Sequence, residues 1–97
     1  MVATTPATAF DLDRAWRLHP QVSVRPEPFG ALLYHFGTRK LSFLKDRTLL
    51  SVVESLGAAP TARDALQSNG VDGTDTERFR RALATLQASH MLVERTA

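Results

Sequence analysis

Residues 32–45, LLYHFGTRKLSFLK, consist of two short apolar segments on either side of a glycine. Within each segment the side chains alternate between two faces, which is the period of a β-strand. Placing Gly37 and Thr38 in a two-residue type II′ loop, with Gly37 at positive φ, predicts a β-hairpin. Its register pairs Phe36 with Arg39, Tyr34 with Leu41 and Leu32 with Phe43.

One face of the predicted hairpin is entirely apolar, and we expect that face to lie in the core. A shift of one residue would exchange the two faces, so register and face are linked. The expected core face carries Leu32, Tyr34, Phe36, Leu41 and Phe43. The opposite face is mixed and carries Ala31, Leu33, His35, Lys40, Ser42 and Leu44.

A further strand is expected before the hairpin. Residues 21–25, QVSVR, alternate strictly, and Pro26 and Pro28 should end the strand because proline lacks a backbone N–H. The preceding residues 11–20 are expected to form a helical turn from which Trp16 packs on the body of the protein.

After the hairpin the apolar period changes to 3.6, which indicates helices. Three helix starts are predicted from their capping residues: Asp46, Thr61 with Asp64, and Thr74 with Glu77. Gly57 should end the first helix. The sequence MLVERT, residues 91–96, fits either a short terminal strand or simple packing.

These elements predict an α+β fold in which a three-stranded antiparallel meander is followed and covered by three helices. We expect one domain over residues 15–97, preceded by a flexible N-terminal segment over residues 1–14. The third predicted strand has no neighbour on its far side. It is therefore a free edge, which proteins usually block or use.

The composition of the 97 residues favours a binding protein over an enzyme. The chain has no cysteine, its three histidines are far apart in sequence, and its glycines form no phosphate-binding loop. We expect no catalytic residues, no metal site and no cofactor. No apolar run approaches the ~20 residues that cross a bilayer, so we expect a soluble, cytoplasmic protein without a membrane partner.

Positive charge is clustered, although the net charge is only +2. Seven of the twelve basic residues fall in two short segments. If the fold brings these segments together, they form a positive groove that attracts an anionic partner. The basic residues are Arg39, Lys40, Lys45 and Arg47 in one segment and Arg78, Arg80 and Arg81 in the other.

The free edge and the charges together favour binding of an acidic peptide by strand addition. The peptide would pair with the third strand and rest against the third helix. The expected site residues are Arg39, Lys40, Leu41, Ser42, Phe43 and Leu44 on the strand side and Arg78, Arg81, Thr85 and Leu86 on the helix side.

Three alternatives remain open. A small winged-helix DNA-binding domain would use the arginines of the third helix, but its strands would follow that helix rather than precede the others. The arginines could instead be solvated charges without a partner. In the third alternative the free edge pairs with a second copy in a homodimer.

The sequence LHPQVSVRPEPFGALLYHFGTRKLSFLKDRTLLSVVESLG resembles the PqqD-like peptide chaperones, which are the recognition elements for ribosomally made, modified peptides. The resemblance covers about residues 15–94 and is strongest to the mycofactocin branch. It implies a winged-helix-like, non-enzymatic domain that binds the leader of a precursor peptide and presents it to a radical S-adenosylmethionine enzyme. It also implies that the leader adds as a fourth strand beside the third strand. The family that the sequence resembles includes dimeric forms.

Overall fold

The computed structural model describes residues 10–95. Along this part of the chain the elements are β1 (Trp16–Leu18), β2 (Val22–Glu27), β3 (Gly30–His35), β4 (Leu41–Leu44), α1 (Arg47–Ser55), α2 (Ala62–Ser68), α3 (Thr74–Ala88) and β5 (Leu92–Glu94). A 3-10 turn over Leu56–Ala58 follows α1 and contains Gly57. Strands β2, β3 and β4 form an antiparallel sheet in that order, which confirms the predicted meander with three helices.

The β3–β4 hairpin has the predicted register, but the opposite face is buried. Tyr34 pairs with Leu41 and Leu32 pairs with Phe43, as expected. The buried face carries Ala31, Leu33, His35 and Leu44, the residues we had placed on the mixed face. The expected core face lies at the surface: Phe36, Leu41 and Phe43 are exposed, and Leu32 and Tyr34 are half-buried.

Most polar groups of the mixed face are accommodated locally, with one exception on His35. The buried His35 accepts hydrogen bonds through Nδ1 from the N–H groups of Gly37 and Thr38, at 2.9 and 3.1 Å. Lys40 lies beyond the strand in the exposed turn, and Ser42 is half-buried at the edge of the sheet. His35 Nε2 is buried without a hydrogen-bond partner among the described residues, so burial of this face carries the cost of one unsatisfied polar atom.

The turn of the hairpin is longer than the predicted type II′ turn. The His35 N–H donates to the Lys40 carbonyl at 3.0 Å, and the Arg39 N–H donates to the His35 carbonyl at 2.7 Å. Arg39, not Gly37, has positive φ, at 65°. Glycine is needed at position 37 for space, since a Cβ there would lie 2.8 Å from Cε1 of the buried His35 ring.

Strand β2 runs through Pro26 and ends at Glu27, directly before Pro28, so the predicted strand end was wrong for Pro26 only. The Phe36 N–H donates to the Gln21 carbonyl at 2.9 Å. Because bonded pairs alternate along an antiparallel ladder, Pro26, opposite Ala31, lies at a pair that forms no ladder bonds. The missing N–H faces the outer edge of β2, where proline is tolerated.

The N-terminal prediction also needs correction. Residues 16–18 form β1, which pairs antiparallel with β5, so the helical turn expected there was wrong and the terminal residues form a strand. Phe10 and Leu12 are buried, and the Phe10 ring stacks on Trp16 at 4.3 Å. Residues 10–14, which we expected to be flexible, are therefore part of the packed structure. Residues 1–9 of that segment lie outside the described residues.

Two of the three predicted helix caps are present. The Asp46 carboxylate accepts from the Thr48 N–H at 2.7 Å, and Thr61 Oγ1 accepts from the Asp64 N–H at 3.1 Å. Helix α3 instead begins after Gly73, which has no side chain to cap it, so the predicted Thr74–Glu77 capping box was wrong. Because Asp46 lies two residues after the end of β4 and caps α1, the cap fixes how β4 leads into the helices.

The core lies between the inner face of the sheet and the helices. Among its fully buried side chains are Leu33, Leu44, Val52, Val53, Leu56, Leu66, Leu83 and Met91. Helix α3 contributes Phe79, Leu83 and Leu86. Among the described residues, no helix is long and apolar enough to cross a membrane.

The two faces of the hairpin can be compared with one leucine-to-alanine substitution on each face. Leu33 is fully buried, whereas the Leu41 side chain is 54% exposed. We expect Leu33→Ala to lower the free energy of unfolding by about 2–5 kcal/mol and Leu41→Ala to change it by about 0.5 kcal/mol or less. Urea unfolding followed by circular dichroism measures both. A larger loss for Leu41→Ala would contradict the observed choice of face.

Candidate functional site

The outer edge of β4 has no strand partner among residues 10–95. Helix α3 lies beside this edge, and an open groove of about 310 Å³ separates the two elements. The groove is lined by Ser42, Phe43, Leu44, Leu49, Ala82, Thr85 and Leu86. The free edge predicted from the sequence is therefore present, and it lies beside the predicted helix.

The backbone of β4 presents hydrogen-bonding groups to this edge. The His35 N–H donates to the Lys40 carbonyl, so the ladder bonds of β4 fall on its even-numbered residues. The N–H and C=O groups of Leu41 and Phe43 consequently point away from β3. An extended chain placed along β4 would meet donors and acceptors at the two-residue spacing it needs.

The groove has a buried floor and an exposed rim. Leu44 and Leu86 are only 1% and 5% exposed, so they form the floor and also belong to the core. Phe43 and Thr85 are exposed, and they are accessible to a bound molecule. An apolar floor beneath an accessible edge can accept alternate side chains of an extended chain.

Two residues of the groove were missed by the sequence analysis. Leu49 and Ala82 are half-buried, one on α1 and one on α3. Both belong to the apolar periodicity that predicts their helices. Ala82 lies at the margin of the stripe on α3, and Leu49 lies at the N-terminal end of the stripe on α1; these outlying positions are the signal that could have marked them as surface contacts.

Five of the predicted site residues, Arg78 among them, lie outside the groove lining. The Leu41 side chain lines a separate cavity on the outer face of the sheet, although its backbone is at the open edge. Arg39 and Lys40 are exposed in the turn that precedes β4. The Arg81 side chain is 70% exposed and approaches Glu77 Oε2 at 3.2 Å.

Arg78 lies next to the groove. It lines a smaller cavity of about 60 Å³ that shares Leu49 and Ala82 with the groove. Its guanidinium lies 3.7 Å from Asp46 Oδ2 and 4.8 Å from the centre of the Phe79 ring. The structure therefore brings the two basic segments to one side of the molecule, but Arg78 already faces a carboxylate.

Carboxylates partly neutralise the basic face of α3. Hydrogen bonds from the guanidinium of Arg80, and to a smaller extent from that of Arg81, lower the pKa of Glu77 to about 2. Glu77 is therefore ionised at neutral pH. Arg39 and Lys40 before β4 and Lys45 after it form no ion pair within the described part of the chain. The cations that flank β4 are therefore not neutralised by carboxylates of this part of the chain.

The described residues bring two histidines that are distant in sequence close together. The His19 and His35 rings are tilted by 44° with their centres 4.4 Å apart, so the separation of the histidines in sequence does not hold in space for this pair. The pKa of His19 is lowered mainly by desolvation and, to a smaller extent, by its electrostatic interaction with His35. In residues 10–95 there is no group of three or more His, Cys, Asp or Glu that could hold a metal ion.

Known proteins resemble this chain over most of its length. The model of the peptide chaperone MftB family matches residues 15–93. The peptide chaperone MftB of Mycobacterium ulcerans is 60% identical over 95 residues, which cover 98% of this chain and 87% of that protein. The protein of the same name from Mycobacterium tuberculosis is 61% identical over 89 residues, covering 92% and 82%.

A solved structure also resembles the chain. It is described as lasso peptide synthetase B1 complexed with the leader peptide. The match has a TM-score of 0.61 and 26% sequence identity, and it covers 81% of this chain and 98% of that one.

Glu77→Gln tests whether the ionised Glu77 carboxylate pairs with the arginines of α3. Because the pKa of Glu77 falls from 4.5 to about 2 on folding, its ionised form stabilises the protein fully above pH 4.5 and progressively less toward pH 2. We expect the variant to be less stable than wild type at neutral pH and the difference to shrink in acid, as measured by urea unfolding. Glu54→Gln, which removes an exposed carboxylate of α1, is the control. A Glu77→Gln deficit that is constant with pH would contradict the ion pairing.

Proposed function

Because the chain belongs to the peptide chaperone MftB family, we propose that it binds the leader of a ribosomally made precursor peptide and delivers it to a modifying enzyme. The observation that carries this proposal is the open edge of β4 beside α3. An edge with outward N–H and C=O groups, next to an apolar groove, is the arrangement that strand addition requires. The similar lasso peptide synthetase B1 was solved with a leader peptide, which supports the same class of ligand.

In the proposed complex the leader forms a fourth strand along β4. Its backbone bonds to Leu41 and Phe43, and alternate side chains enter the groove above Leu44 and Leu49. Thr85 borders the opposite wall. Main-chain bonds supply affinity for many sequences, while the groove selects particular side chains.

Charge selects the ligand further. Arg39 and Lys40 precede the edge, and Arg78 and Arg81 lie on the helix side. We propose that these residues attract an acidic leader and increase its rate of association. Arg78 contributes less than its full charge because Asp46 and Asp75 lie within 3.7 and 3.5 Å of it.

We propose that the protein itself performs no chemistry. Its role is to hold the mycofactocin precursor for a radical S-adenosylmethionine enzyme, which supplies the reactive cofactor. The capping roles of Asp46 and Asp64 and the ion pairs of Glu77 account for those carboxylates without catalysis. Binding of a newly made precursor places this step in the cytoplasm.

The winged-helix DNA-binding alternative gains little support. In the described structure β5 follows α3, but it pairs with β1 instead of forming a hairpin wing. The arginines of α3 face Asp75 and Glu77. A DNA-reading helix would need these cations free for phosphates.

Phe43→Pro should separate main-chain binding from side-chain contact. It removes an N–H that points to the open edge, whereas Phe43→Ala removes the same side chain and keeps that N–H. We expect Phe43→Pro to bind the precursor leader about tenfold more weakly than Phe43→Ala, because a lost hydrogen bond costs about 1 kcal/mol and proline also restricts the strand. Isothermal titration with a synthetic leader measures both affinities, and circular dichroism checks their folding. Equal affinities would show that the leader does not pair with β4.

Titration with duplex DNA tests the alternative function. We expect measurable affinity for the acidic leader and no salt-sensitive affinity for DNA. Tight, salt-dependent DNA binding without leader binding would overturn the proposed function.

A further inference from the structure

The outer face of the sheet is a continuous apolar surface, which we name the outer patch. It consists of Leu32, Tyr34, Phe36, Leu41 and Phe43, with Phe29 beside Phe43. Phe29, Phe36, Leu41 and Phe43 are 46%, 60%, 54% and 60% exposed. They are the large exposed hydrophobic residues of the described chain, and all of them lie here.

The aromatic side chains of the outer patch contact one another in pairs. The Tyr34 and Phe36 rings meet edge to face with centres 5.1 Å apart, and the Phe29 and Phe43 rings are 6.2 Å apart. A depression of about 310 Å³ lies among Ser23, Arg25, Leu32, Tyr34, Phe36 and Leu41. Contiguous aromatic surface around a depression is typical of a protein interface, where aromatic anchors contribute most of the affinity.

The rim of the outer patch is basic. Arg25 lies on the same face of β2, Arg39 and Lys40 are in the turn, and Lys45 follows β4. Glu27 is the carboxylate that strand alternation places on this face, and it lies 4.0 Å from Arg25. Two copies packed face to face would bring these cations together, and such like-charge contacts are costly. The charges therefore favour a partner whose apolar surface is bordered by carboxylates.

The width of the outer patch excludes the leader as its occupant. The patch together with its depression spans β2 to β4, and neighbouring strands are about 4.8 Å apart. A peptide added at the β4 edge would reach Phe43 and Leu41, but it would leave Phe36 and the depression near Ser23 uncovered. A folded protein can cover this width.

We infer that the outer patch docks a folded protein with an apolar surface bordered by carboxylates, and, resting on the proposed function, that this partner is the radical S-adenosylmethionine enzyme. A leader bound as a fourth strand would extend the sheet, so its outward side chains would continue the outer patch beside Phe43. The enzyme would then contact both the patch and the leader. Each ligand should consequently strengthen binding of the other by the same factor.

The test uses the purified radical S-adenosylmethionine enzyme from the same organism as the probe, with the full chain immobilised. Phe36→Ser removes a patch anchor that lies outside the peptide groove. We expect it to weaken enzyme binding about tenfold or more and to leave leader affinity within about twofold of wild type. Arg25→Glu should weaken enzyme binding, most strongly at low salt, whereas Arg17→Glu on β1 should leave it unchanged.

Several results would overturn the inference. One is that Phe36→Ser binds the enzyme as tightly as wild type, and another is that the wild-type chain does not bind the enzyme. A third is that Phe36→Ser loses leader affinity in parallel with enzyme affinity, which would assign the patch to the peptide. Light scattering that shows a wild-type dimer broken by Phe36→Ser would assign it to a second copy. Absence of leader binding to the wild type would instead refute the proposed function, and the enzyme arm of the test would still report on the patch.

Discussion

The hydrogen bonds of His35 are the constraint on which the sheet depends. Its backbone N–H and carbonyl bond to Lys40 and Arg39, and its imidazole accepts from the N–H groups of Gly37 and Thr38. Together they fix the turn and thus the register of β4 on β3. Once this register is fixed, alternation decides which groups of β4 bond to β3 and which face the open edge. The geometry of the candidate site therefore begins at a buried side chain that lies outside it.

Much of the fold follows from local sequence patterns. The period of two predicts the strands, the register of the hairpin and the free edge, and the Asp46 cap predicts the start of α1. The buried face of the hairpin could not be predicted, because both faces carry apolar residues and periodicity does not show which one the helices cover. Ala31 and Leu33 are covered, while the larger Phe36 and Phe43 remain exposed. Side chains smaller than phenylalanine allow the helices to approach the sheet closely, which a count of apolar residues does not reveal.

Other errors came from interactions between residues distant in sequence. Trp16 was correctly expected to pack, but its strand depends on pairing with residues near the other terminus. Gly37 was recognised as special, although the reason is the close approach of the buried His35 ring and not its φ. The candidate site shows the same limit: the edge was predicted from strand order, whereas Leu49 and Ala82 enter the groove only through helix packing.

An open strand edge must avoid pairing with itself while remaining available to a ligand. Lys40 and Lys45 flank the four residues of β4. If two β4 edges paired antiparallel, Lys40 of each copy would approach Lys45 of the other, and a parallel arrangement would bring identical lysines together. Both arrangements place like charges close to each other, whereas an acidic chain would bring opposite charges to the same positions. The charge that favours a peptide at this edge therefore also disfavours self-association through it.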